Sequence, residues 1–426
     1  MIDKEQIKQI LVDQRAIILN KSFGVGRNIL AEIRKNIKLP HVIVITGLRR
    51  VGKSTLLRQI IKKYYKDKDF YYINFEDERL FNFKADNFNI LYETLVELFG
   101  EKKTFFIDEI QNINHFENFV RRFYDAGFKF FITGSNANLL SKELGTKLTG
   151  RHIDLIVNPF SFSEYLVFKK TNYTNEMLYK TENRAKLIKL FGKYLISGGM
   201  PEFLIYKDSE ILTRIYEDIV IKDIAVRYKV ENLYEMRELY QYLITNFANK
   251  FSFNGLKQIV DLGSITTIKN YILFLTETFF ISIVNKFDFS LKKQIVNEKK
   301  VYIADNGFIP VLSTKLNKDK GWLLENFVFN ELKKSNKIFY FSGKNECDFV
   351  IQNDKKITNV IQVTNELSDN NKKRELKGLL EAMEYFKLKN GLILTYDQET
   401  NITLDKKNIL IKPVWKWMLE MKTIAR

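Results

Sequence analysis

The stretch from His41 to Tyr65, HVIVITGLRRVGKSTLLRQIIKKYY, contains the pattern that decides the fold. The β-branched run from Val42 to Thr46 predicts a buried strand, and a basic amphipathic helix is predicted to begin near Lys53. Between them, Gly47 to Ser54 match the phosphate-binding pattern G-x-x-x-x-G-K-[ST] at every fixed position. A chance glycine turn is the alternative, but the strand before the loop and the helix after it favour a phosphate-binding loop.

This loop predicts a site for ATP and Mg²⁺. Successive backbone N–H groups must wrap a polyphosphate, and only glycine lets the main chain come that close. The positive end of the following helix would point at the anion. Lys53 is expected to reach the β- and γ-phosphates, and Ser54 to place its hydroxyl on a bridging Mg²⁺. The predicted nucleotide-binding residues are Gly47, Leu48, Arg49, Arg50, Val51, Gly52, Lys53, Ser54 and Thr55.

A second motif is an acidic pair, Asp108 and Glu109, that ends the predicted strand beginning at Thr104. Strands often end in acids, so the pair gains its meaning from the phosphate-binding loop that precedes it. At the carboxyl edge of a parallel sheet, Asp108 is expected to hold the Mg²⁺. Glu109 is expected to orient and deprotonate the water that attacks the γ-phosphate.

The next predicted strand ends in a polar tip, Thr133 to Asn136. Ser135 or Asn136 is expected to sense the γ-phosphate if this strand lies between those of the loop and the acidic pair, and a plain turn is the alternative. A helix is predicted from Leu139 to Leu144.

Arg151 stands just before a predicted fifth strand at a sheet edge, where it would supply positive charge to a neighbouring subunit's phosphates. This interpretation requires a homo-oligomer. An ordinary surface arginine is the alternative.

Composition bounds the class of protein. A chain of 426 residues is too long for one hydrophobic core, so about two to four domains are expected. The 68 Lys and Arg against 51 Asp and Glu leave a net charge of +17, which favours an anionic partner such as DNA. A single cysteine, Cys347, excludes an internal disulfide, and with three histidines it provides too few ligands for a structural zinc site. With no signal peptide and no apolar run long enough to span a membrane, we expect a cytoplasmic protein without a membrane partner.

Residues 159–228 carry helical patterns broken at Gly198, Gly199 and Pro201, which predicts a helical lid against the nucleotide. Three helices and two strands then predict a winged helix over residues 229–312, with a basic tip from Leu291 to Gln294 between the strands. On DNA, the third helix would face a groove and the tip would meet phosphates, whereas a packing role is the alternative. The candidate DNA contacts are Thr266, Thr267, Lys269, Asn270, Lys292 and Lys293.

The order of predicted elements over residues 313–426 resembles the PD-(D/E)-x-K nucleases, in which acids hold Mg²⁺ and a lysine helps to activate water. Glu325 lies on the first helix and Asp348 at the start of a strand, but Gln362 replaces the second acid and Thr364 replaces the lysine. An inactive fold reused for binding is therefore expected, with an active nuclease as the alternative.

The chain as a whole resembles the predicted AAA-type ATPases of archaea and bacteria. The resemblance implies an α/β fold: an AAA-like P-loop core over residues 1–158 with a parallel sheet and flanking helices, followed by a winged helix and a restriction-endonuclease-like domain. The expected function is a Mg²⁺-dependent ATP hydrolase that rearranges DNA-binding domains, and the alternative is an ATP-switched scaffold that binds protein. The stretches that carry the resemblance are Gly47 to Ser54, Asp108 to Gln111, Ile132 to Asn136, Leu148 to Arg151, Pro159 to Glu164, Gly198 to Glu202, Lys300 to Gly307, and Glu325 with Asn326.

Overall fold

The computed structural model describes residues 3–65, 69–136, 148–314, 320–334 and 336–424. The helix predicted from Leu139 to Leu144 lies outside these ranges. The chain divides into two compact units: the first comprises the residues up to Asn158 together with Glu277–Phe279, and the second comprises the remainder. None of the described helices is both long and apolar enough to cross a membrane.

The first unit contains a five-stranded parallel sheet in the order β2-β3-β4-β1-β5. The prediction of an α/β protein with a parallel sheet core is therefore confirmed. The strands are β1 Val42–Thr46, β2 Tyr71–Asn74, β3 Thr104–Asp108, β4 Lys129–Gly134 and β5 His152–Ile156. The α-helices of this unit are Lys4–Asn20, Leu30–Asn36, Lys53–Ile60, Phe88–Phe99 and Phe116–Asp125.

Consecutive phenylalanines on β3 and β4 show why this sheet is buried on both faces. Successive side chains of a strand point to opposite faces, so Phe105 stacks on Phe130 on one face and Phe106 stacks on Phe131 on the other. Their ring centroids are 5.1 Å and 4.6 Å apart, respectively. A sheet covered on both faces leaves the ends of its strands as the places where polar side chains can gather.

The second unit contains two sheets and most of the helices. The three-stranded sheet has the order β6-β8-β7, and the six-stranded sheet has the order β13-β14-β12-β11-β10-β9. The strands are β6 Lys250–Phe251, β7 Ile281–Asn285, β8 Lys299–Ile303, β9 Lys337–Ser342, β10 Glu346–Asn353, β11 Lys356–Val363, β12 Asn390–Thr395, β13 Thr400–Leu404 and β14 Lys407–Pro413. The α-helices are Phe162–Phe168, Thr181–Ser197, Pro201–Tyr206, Glu210–Asp218, Leu233–Thr245, Phe253–Ile259, Ile265–Glu277, Leu291–Val296, Ile309–Leu312, Lys320–Leu332, Lys372–Tyr385 and Val414–Ile424.

The glycine pair Gly198 and Gly199 is fixed by the buried carboxylate of Asp305. Asp305 accepts hydrogen bonds from the N–H groups of Gly199, at 2.6 Å, and Gly307, at 2.9 Å. Gly198 has a φ of +65°, and a Cβ added there would lie 1.7 Å from Asp305 Oδ1. Two stretches far apart in sequence thus form one tightly packed turn, which accounts for the glycines that the sequence places there.

The basic tip from Leu291 to Gln294 lies between β7 and β8, as the sequence predicts, and forms part of a short helix, Leu291–Val296, that the sequence analysis did not predict. The ammonium of Lys299 caps the end of this helix, donating to the carbonyl oxygens of Ile295 at 2.8 Å and Asn297 at 3.0 Å. A cation at a helix C-terminus satisfies the orphan carbonyls and interacts favourably with the helix dipole, which stabilises this short element.

Candidate nucleotide-binding site

The strand register brings the predicted site residues to one edge of the first sheet. Thr46 pairs with Gly134 across β1 and β4, and Ile107 pairs with Ile132 across β3 and β4. The loop after β1, the acidic pair that ends β3 and the polar tip that ends β4 therefore share the carboxyl edge of the sheet. The strand β4 lies between β1 and β3, as the interpretation of the polar tip requires.

The loop from Gly47 to Ser54 has the backbone geometry that a phosphate cradle needs. Gly47 has a φ of +144°, and a Cβ added to it would lie 2.3 Å from the carbonyl oxygen of Val157. Gly52, just before the helix Lys53–Ile60, has a φ of +101°. Both positions therefore require glycine for conformational reasons and, at Gly47, for close packing. Leu48 and Val51 are buried beneath the loop, whereas Arg50 and Ser54 are exposed.

Lys53 lies at the centre of a group that we call the P-loop cluster: Lys53, Asp108 and Glu109. Its ammonium is 3.5 Å from Glu109 Oε1, and it also contacts the carbonyl oxygens of Gly47 at 3.2 Å and Leu48 at 3.4 Å. The last two are long contacts to neutral acceptors. A polyphosphate in the loop would offer this buried ammonium stronger, charged acceptors.

Asp108 is buried and accepts hydrogen bonds from three hydroxyl groups, those of Thr133, Ser54 and, at 3.5 Å, Tyr72. Burial, followed by the charge of Glu109, raises the pKa of the Asp108 carboxyl, while the hydrogen bonds from Ser54 and Thr133 and the Lys53 charge oppose the rise. The pairing of an exposed Ser54 hydroxyl with a buried carboxylate provides two oxygen ligands of the kind that Mg²⁺ prefers. These residues fit the metal that the motif implies.

Glu109 is held in an unusual backbone conformation, with a φ of +52°. Its N–H donates to Thr133 Oγ1 at 2.9 Å, and its carboxylate accepts from the Gln111 amide. Gln111 Nε2 also lies 3.5 Å from the hydroxyl of Ser135. The amide of Gln111 thus links the carboxylate of Glu109 to the tip of β4, where Ser135 and Asn136 are both buried.

Sequence reasoning missed three residues that position this site. Thr133 bridges the acidic pair through its hydroxyl, and Gln111 holds Glu109, although both belong to motifs that the sequence displays. Arg27 has no such signal. Its guanidinium donates to the carbonyl oxygens of Val51, at 3.0 Å, and of Asn158, so it supports the loop from a distant part of the chain.

Gln14 and Arg15 lie on the helix Lys4–Asn20, which precedes the loop. Gln14 is buried and donates to the carbonyl oxygen of Asn74 and to Asp77, each at 3.0 Å. The guanidinium of Arg15 lies over the ring of Phe70.

Arg151 lies at the amino-terminal ends of the strands, whereas the loop lies at their carboxyl-terminal ends. The N–H of Val42, at the start of β1, donates to the Arg151 carbonyl, so Arg151 stands at the amino end of β5. The length of β1 separates it from the loop, about 16 Å at 3.3 Å per residue. Its guanidinium pairs with Asp125 at 2.7 Å and is 45% exposed. Arg151 is therefore too distant to contact the phosphates of its own chain.

The residues predicted to contact DNA lie at two places in the second unit. Thr266, Lys269 and Asn270 are exposed near the start of the helix Ile265–Glu277, while Thr267 is half-buried and donates its N–H to the Ser264 cap at 3.0 Å. Lys292 and Lys293 are exposed on the helix Leu291–Val296, and Lys293 is 3.9 Å from Asp288. The same short segment exposes four large apolar side chains: Phe289, Leu291, Ile295 and Val296.

A five-stranded parallel sheet with a glycine loop after β1, an acidic pair at the end of β3 and a polar tip at the end of β4 defines a P-loop nucleotide-binding protein. A family model described as an AAA domain matches residues 40–166. Two models described as domains of unknown function match residues 188–320 and 320–417.

Two relatives match most of this chain. The uncharacterized protein MJ1544 of Methanocaldococcus jannaschii is 37% identical over 98% of this chain and 96% of its own length. An uncharacterized protein of Haemophilus influenzae is 28% identical over 88% of this chain and 94% of its own. The chain belongs to the same family of AAA-domain proteins as the M. jannaschii protein.

Among solved structures, a RuvB structure from Thermotoga maritima is 17% identical, covering 62% of this chain and 92% of that one, with a TM-score of 0.30. A likeness this slight supports no conclusion about function.

Proposed function

We propose that the protein is a Mg²⁺-dependent ATP hydrolase that couples turnover to rearrangement of its C-terminal domains on DNA. The observation that supports hydrolysis most strongly is the meeting of Lys53, Asp108 and Glu109 at the carboxyl end of the parallel sheet, next to the glycine loop. Phosphoryl transfer needs positioning and charge stabilisation more than covalent chemistry by the protein, and these residue types provide both.

In this proposal, Lys53 and the N–H groups from Gly47 to Thr55 bind the phosphates of ATP, and Ser54 and Asp108 hold the metal. Mg²⁺, when bound, neutralises the charge that develops on the β- and γ-phosphate oxygens. Lys53 must leave its carbonyl partners and loosen its contact with Glu109 in order to reach a phosphate. Binding of ATP would thereby release the Glu109 carboxylate from Lys53, so that it can orient the attacking water.

Glu109 is the proposed general base. Its carboxylate would orient the attacking water and accept a proton from it, while Gln111 fixes the direction of the carboxylate. Ser135 or Asn136 would sense the γ-phosphate from the tip of β4. Because Gln111 also lies near the Ser135 hydroxyl, a movement of the tip of β4 would shift the Glu109 carboxylate through Gln111.

The rest of the chain is proposed to respond to the nucleotide. We assign residues 159–228 as a helical lid, 229–312 as a winged helix and 313–426 as an inactive PD-(D/E)-x-K-like domain. The winged-helix assignment is supported by the order of elements, in which the helices Leu233–Thr245, Phe253–Ile259 and Ile265–Glu277 are followed by β7 and β8 of the three-stranded sheet. Thr266, Thr267, Lys269, Asn270, Lys292 and Lys293 remain the proposed DNA contacts, and we propose a homo-oligomer in the cytoplasm.

A scaffold protein that uses ATP as a switch is the second candidate. Apolar surface is exposed beside Lys292 and Lys293 by Phe289, Leu291, Ile295 and Val296. DNA phosphates do not bind apolar surface. Clustered exposed apolar side chains are typical of surfaces that bind other proteins. In this alternative, ATP would bind and be hydrolysed slowly, and DNA would not affect the rate.

The ATP turnover rate measured with and without DNA distinguishes the two candidates. The proposal predicts that duplex, forked or four-way DNA raises kcat at low salt, and that the rise disappears as salt screens the contacts. Lys53→Ala provides the control for contaminating hydrolysis. A turnover rate that is unchanged by all three DNA forms would favour the scaffold.

A further inference from the structure

The second unit contains a lysine enclosed by carboxylates, which we call the Lys300 cluster: Lys300, Glu325, Glu346 and Asp348. Lys300 Nζ lies 2.6 Å from Glu346 Oε1, 2.9 Å from Glu325 Oε1 and 3.5 Å from Asp348 Oδ1. The side chain of Lys300 is 3% exposed. Three carboxylates around one buried ammonium form a closed arrangement in which the lysine is the central cation.

The three acids come from the elements in which a PD-(D/E)-x-K nuclease would hold Mg²⁺. Glu325 lies on the helix Lys320–Leu332, and Glu346 and Asp348 lie on β10 of the six-stranded sheet. Lys300 comes from β8, which belongs to the three-stranded sheet. The cation thus reaches the acids from a different sheet and from an earlier part of the chain.

The donor set does not fit a divalent metal ion. Gln362, which stands in place of an acid on β11, donates to Glu375 at 2.6 Å and accepts from the Asp348 N–H at 3.3 Å. Asp348 also accepts from the Val363 N–H at 2.9 Å, and Glu325 accepts from the Tyr302 hydroxyl at 2.7 Å. The lysine and these neutral donors already use the oxygen atoms that a metal ion would need.

We propose that the Lys300 ammonium is the permanent cation of this acid cluster, taking the place of a divalent metal and fastening the three-stranded sheet to the six-stranded sheet. This acid cluster then has no open metal position, and the C-terminal fold acts as a structural or binding domain rather than as a nuclease.

A second lysine supports this proposal independently. Lys250 on β6 is directly opposite Lys300 on β8, and like charges opposite each other in a sheet are destabilising. Both ammonium groups pair with Glu346, one to each carboxylate oxygen. The acid of β10 thereby relieves a repulsion within the neighbouring sheet, so the two sheets stabilise each other.

The electrostatic balance agrees with a charged lysine. Burial lowers the pKa of Lys300, but the neighbouring groups, Glu325 foremost with Tyr302, Asp348 and Glu346, together outweigh burial and raise it well above its ordinary value. Burial, followed by the charge of Glu325, raises the pKa of Asp348 well above its ordinary value. Both shifts follow from placing several charges close together out of water.

The test is Lys300→Met, which keeps an unbranched apolar side chain that is one atom shorter and removes the charge. In EDTA, we expect the midpoint of thermal unfolding to fall by roughly 10 °C, because the two buried carboxylates, Glu325 and Asp348, lose their cation. The matched control is Lys333→Met. Lys333 is a lysine whose ammonium contacts the Ser282 hydroxyl, at 3.4 Å, and for which burial lowers the pKa to about 8. Removing its charge is expected to leave the midpoint unchanged or to raise it.

Mn²⁺ without nucleotide supplies the second measurement. The Lys300→Met variant should recover part of its lost midpoint in Mn²⁺, because the vacated cluster attracts a cation, whereas the wild-type midpoint should not shift. A wild-type protein that gains as much from Mn²⁺ as the variant, or that cleaves DNA in Mn²⁺, would overturn the proposal. So would a Lys300→Met variant no less stable than Lys333→Met.

A double variant keeps the test decisive if Lys300→Met does not fold. Adding Glu325→Gln removes one of the uncompensated charges, so Lys300→Met with Glu325→Gln should fold and should unfold at a higher temperature than Lys300→Met. A double variant that is no more stable than the single one would show that the carboxylates do not depend on the lysine charge.

Discussion

Both units of this protein contain a buried lysine among carboxylates, but the two lysines differ in their partners. In the P-loop cluster, Lys53 has one carboxylate at 3.5 Å and otherwise contacts two loop carbonyl oxygens at 3.2 Å and 3.4 Å. In the Lys300 cluster, three carboxylates lie within 3.5 Å of the ammonium. The first lysine can gain by exchanging its partners for a phosphate, whereas the second has nothing to gain from a ligand.

The comparison teaches that the same residue types support binding or fixed structure according to what surrounds them. Lys53 begins a helix behind a loop in which Gly47 and Gly52 keep the backbone open to an anion. Lys300 projects from a strand between two packed sheets, where Glu346 also pairs with Lys250. The first cluster is proposed to depend on ligands and neighbouring subunits, and the second to be complete within its own chain.

Arg151→Ala provides the strongest test of whether the P-loop cluster depends on a neighbouring subunit. If Arg151 reaches the phosphates of an adjacent chain, its removal should lower kcat by about 10³- to 10⁵-fold with near-normal ATP affinity, because it stabilises charge in the transition state. Specific activity of the wild-type protein should also rise with protein concentration, since turnover needs the oligomer.

Mixing two inactive variants sharpens this prediction. A Lys53→Ala subunit has an intact Arg151, and an Arg151→Ala subunit has an intact loop, so a mixed oligomer should regain part of the activity. A mixture that stays inactive although its subunits exchange would mean that Arg151 does not act across an interface.

Thr133→Val should have the next largest effect. The Thr133 hydroxyl donates to the Asp108 carboxylate and accepts from the Glu109 N–H, so it positions both members of the acidic pair. Removing one partner of a buried hydrogen bond costs about 1–3 kcal/mol, so kcat should fall about ten- to a hundredfold. Thr94→Val is the matched control, because the Thr94 hydroxyl is also buried but bonds to the carbonyl of its own helix at 2.6 Å. Equal kcat in the two variants would show that Thr133 does not position the catalytic carboxylates.

The smallest expected effect comes from two exposed lysines, Lys292 and Lys293, which differ from the buried Lys53 and Lys300. If Lys292 and Lys293 contact phosphates, replacing both with Ala should reduce the slope of log affinity for DNA against log salt by about two. Replacing Lys372 and Lys373, an exposed pair at the start of another helix, should leave the slope unchanged. An unchanged slope in the first variant would exclude the helix Leu291–Val296 as a DNA contact.

Much of the first unit could be predicted because its signals are local. The P-loop pattern, the acidic pair and the polar tip each end a strand with a clear apolar pattern, and the carboxyl ends of parallel strands must meet at one edge. The same rule places Arg151 at the other edge, because it precedes a strand instead of following one. Roles that depend on one further contact, such as that of Gln111, could not be predicted from spacing.

The second unit shows why the rest was out of reach. Lys300 is 25 residues before Glu325 and 48 before Asp348, and nothing in the sequence indicates that β8 packs against β10. The helix Leu291–Val296 was missed because its end is capped by the Lys299 side chain, which the sequence shows only as one more basic residue. The first is a tertiary contact that overrides local pattern, and the second is a local side-chain contact that spacing alone does not reveal.

The most direct test of the central claim, that Lys53 binds ATP and Glu109 acts only during its hydrolysis, measures ATP affinity and turnover in two variants side by side. Lys53→Ala should lose ATP binding, because the ammonium contacts the phosphates in the ground state. Glu109→Gln should bind ATP about as tightly as the wild type and lose about 10²- to 10⁴-fold in kcat, because the carboxylate is needed for proton transfer. Equal loss of ATP affinity in both variants, or normal turnover in Glu109→Gln, would contradict the account.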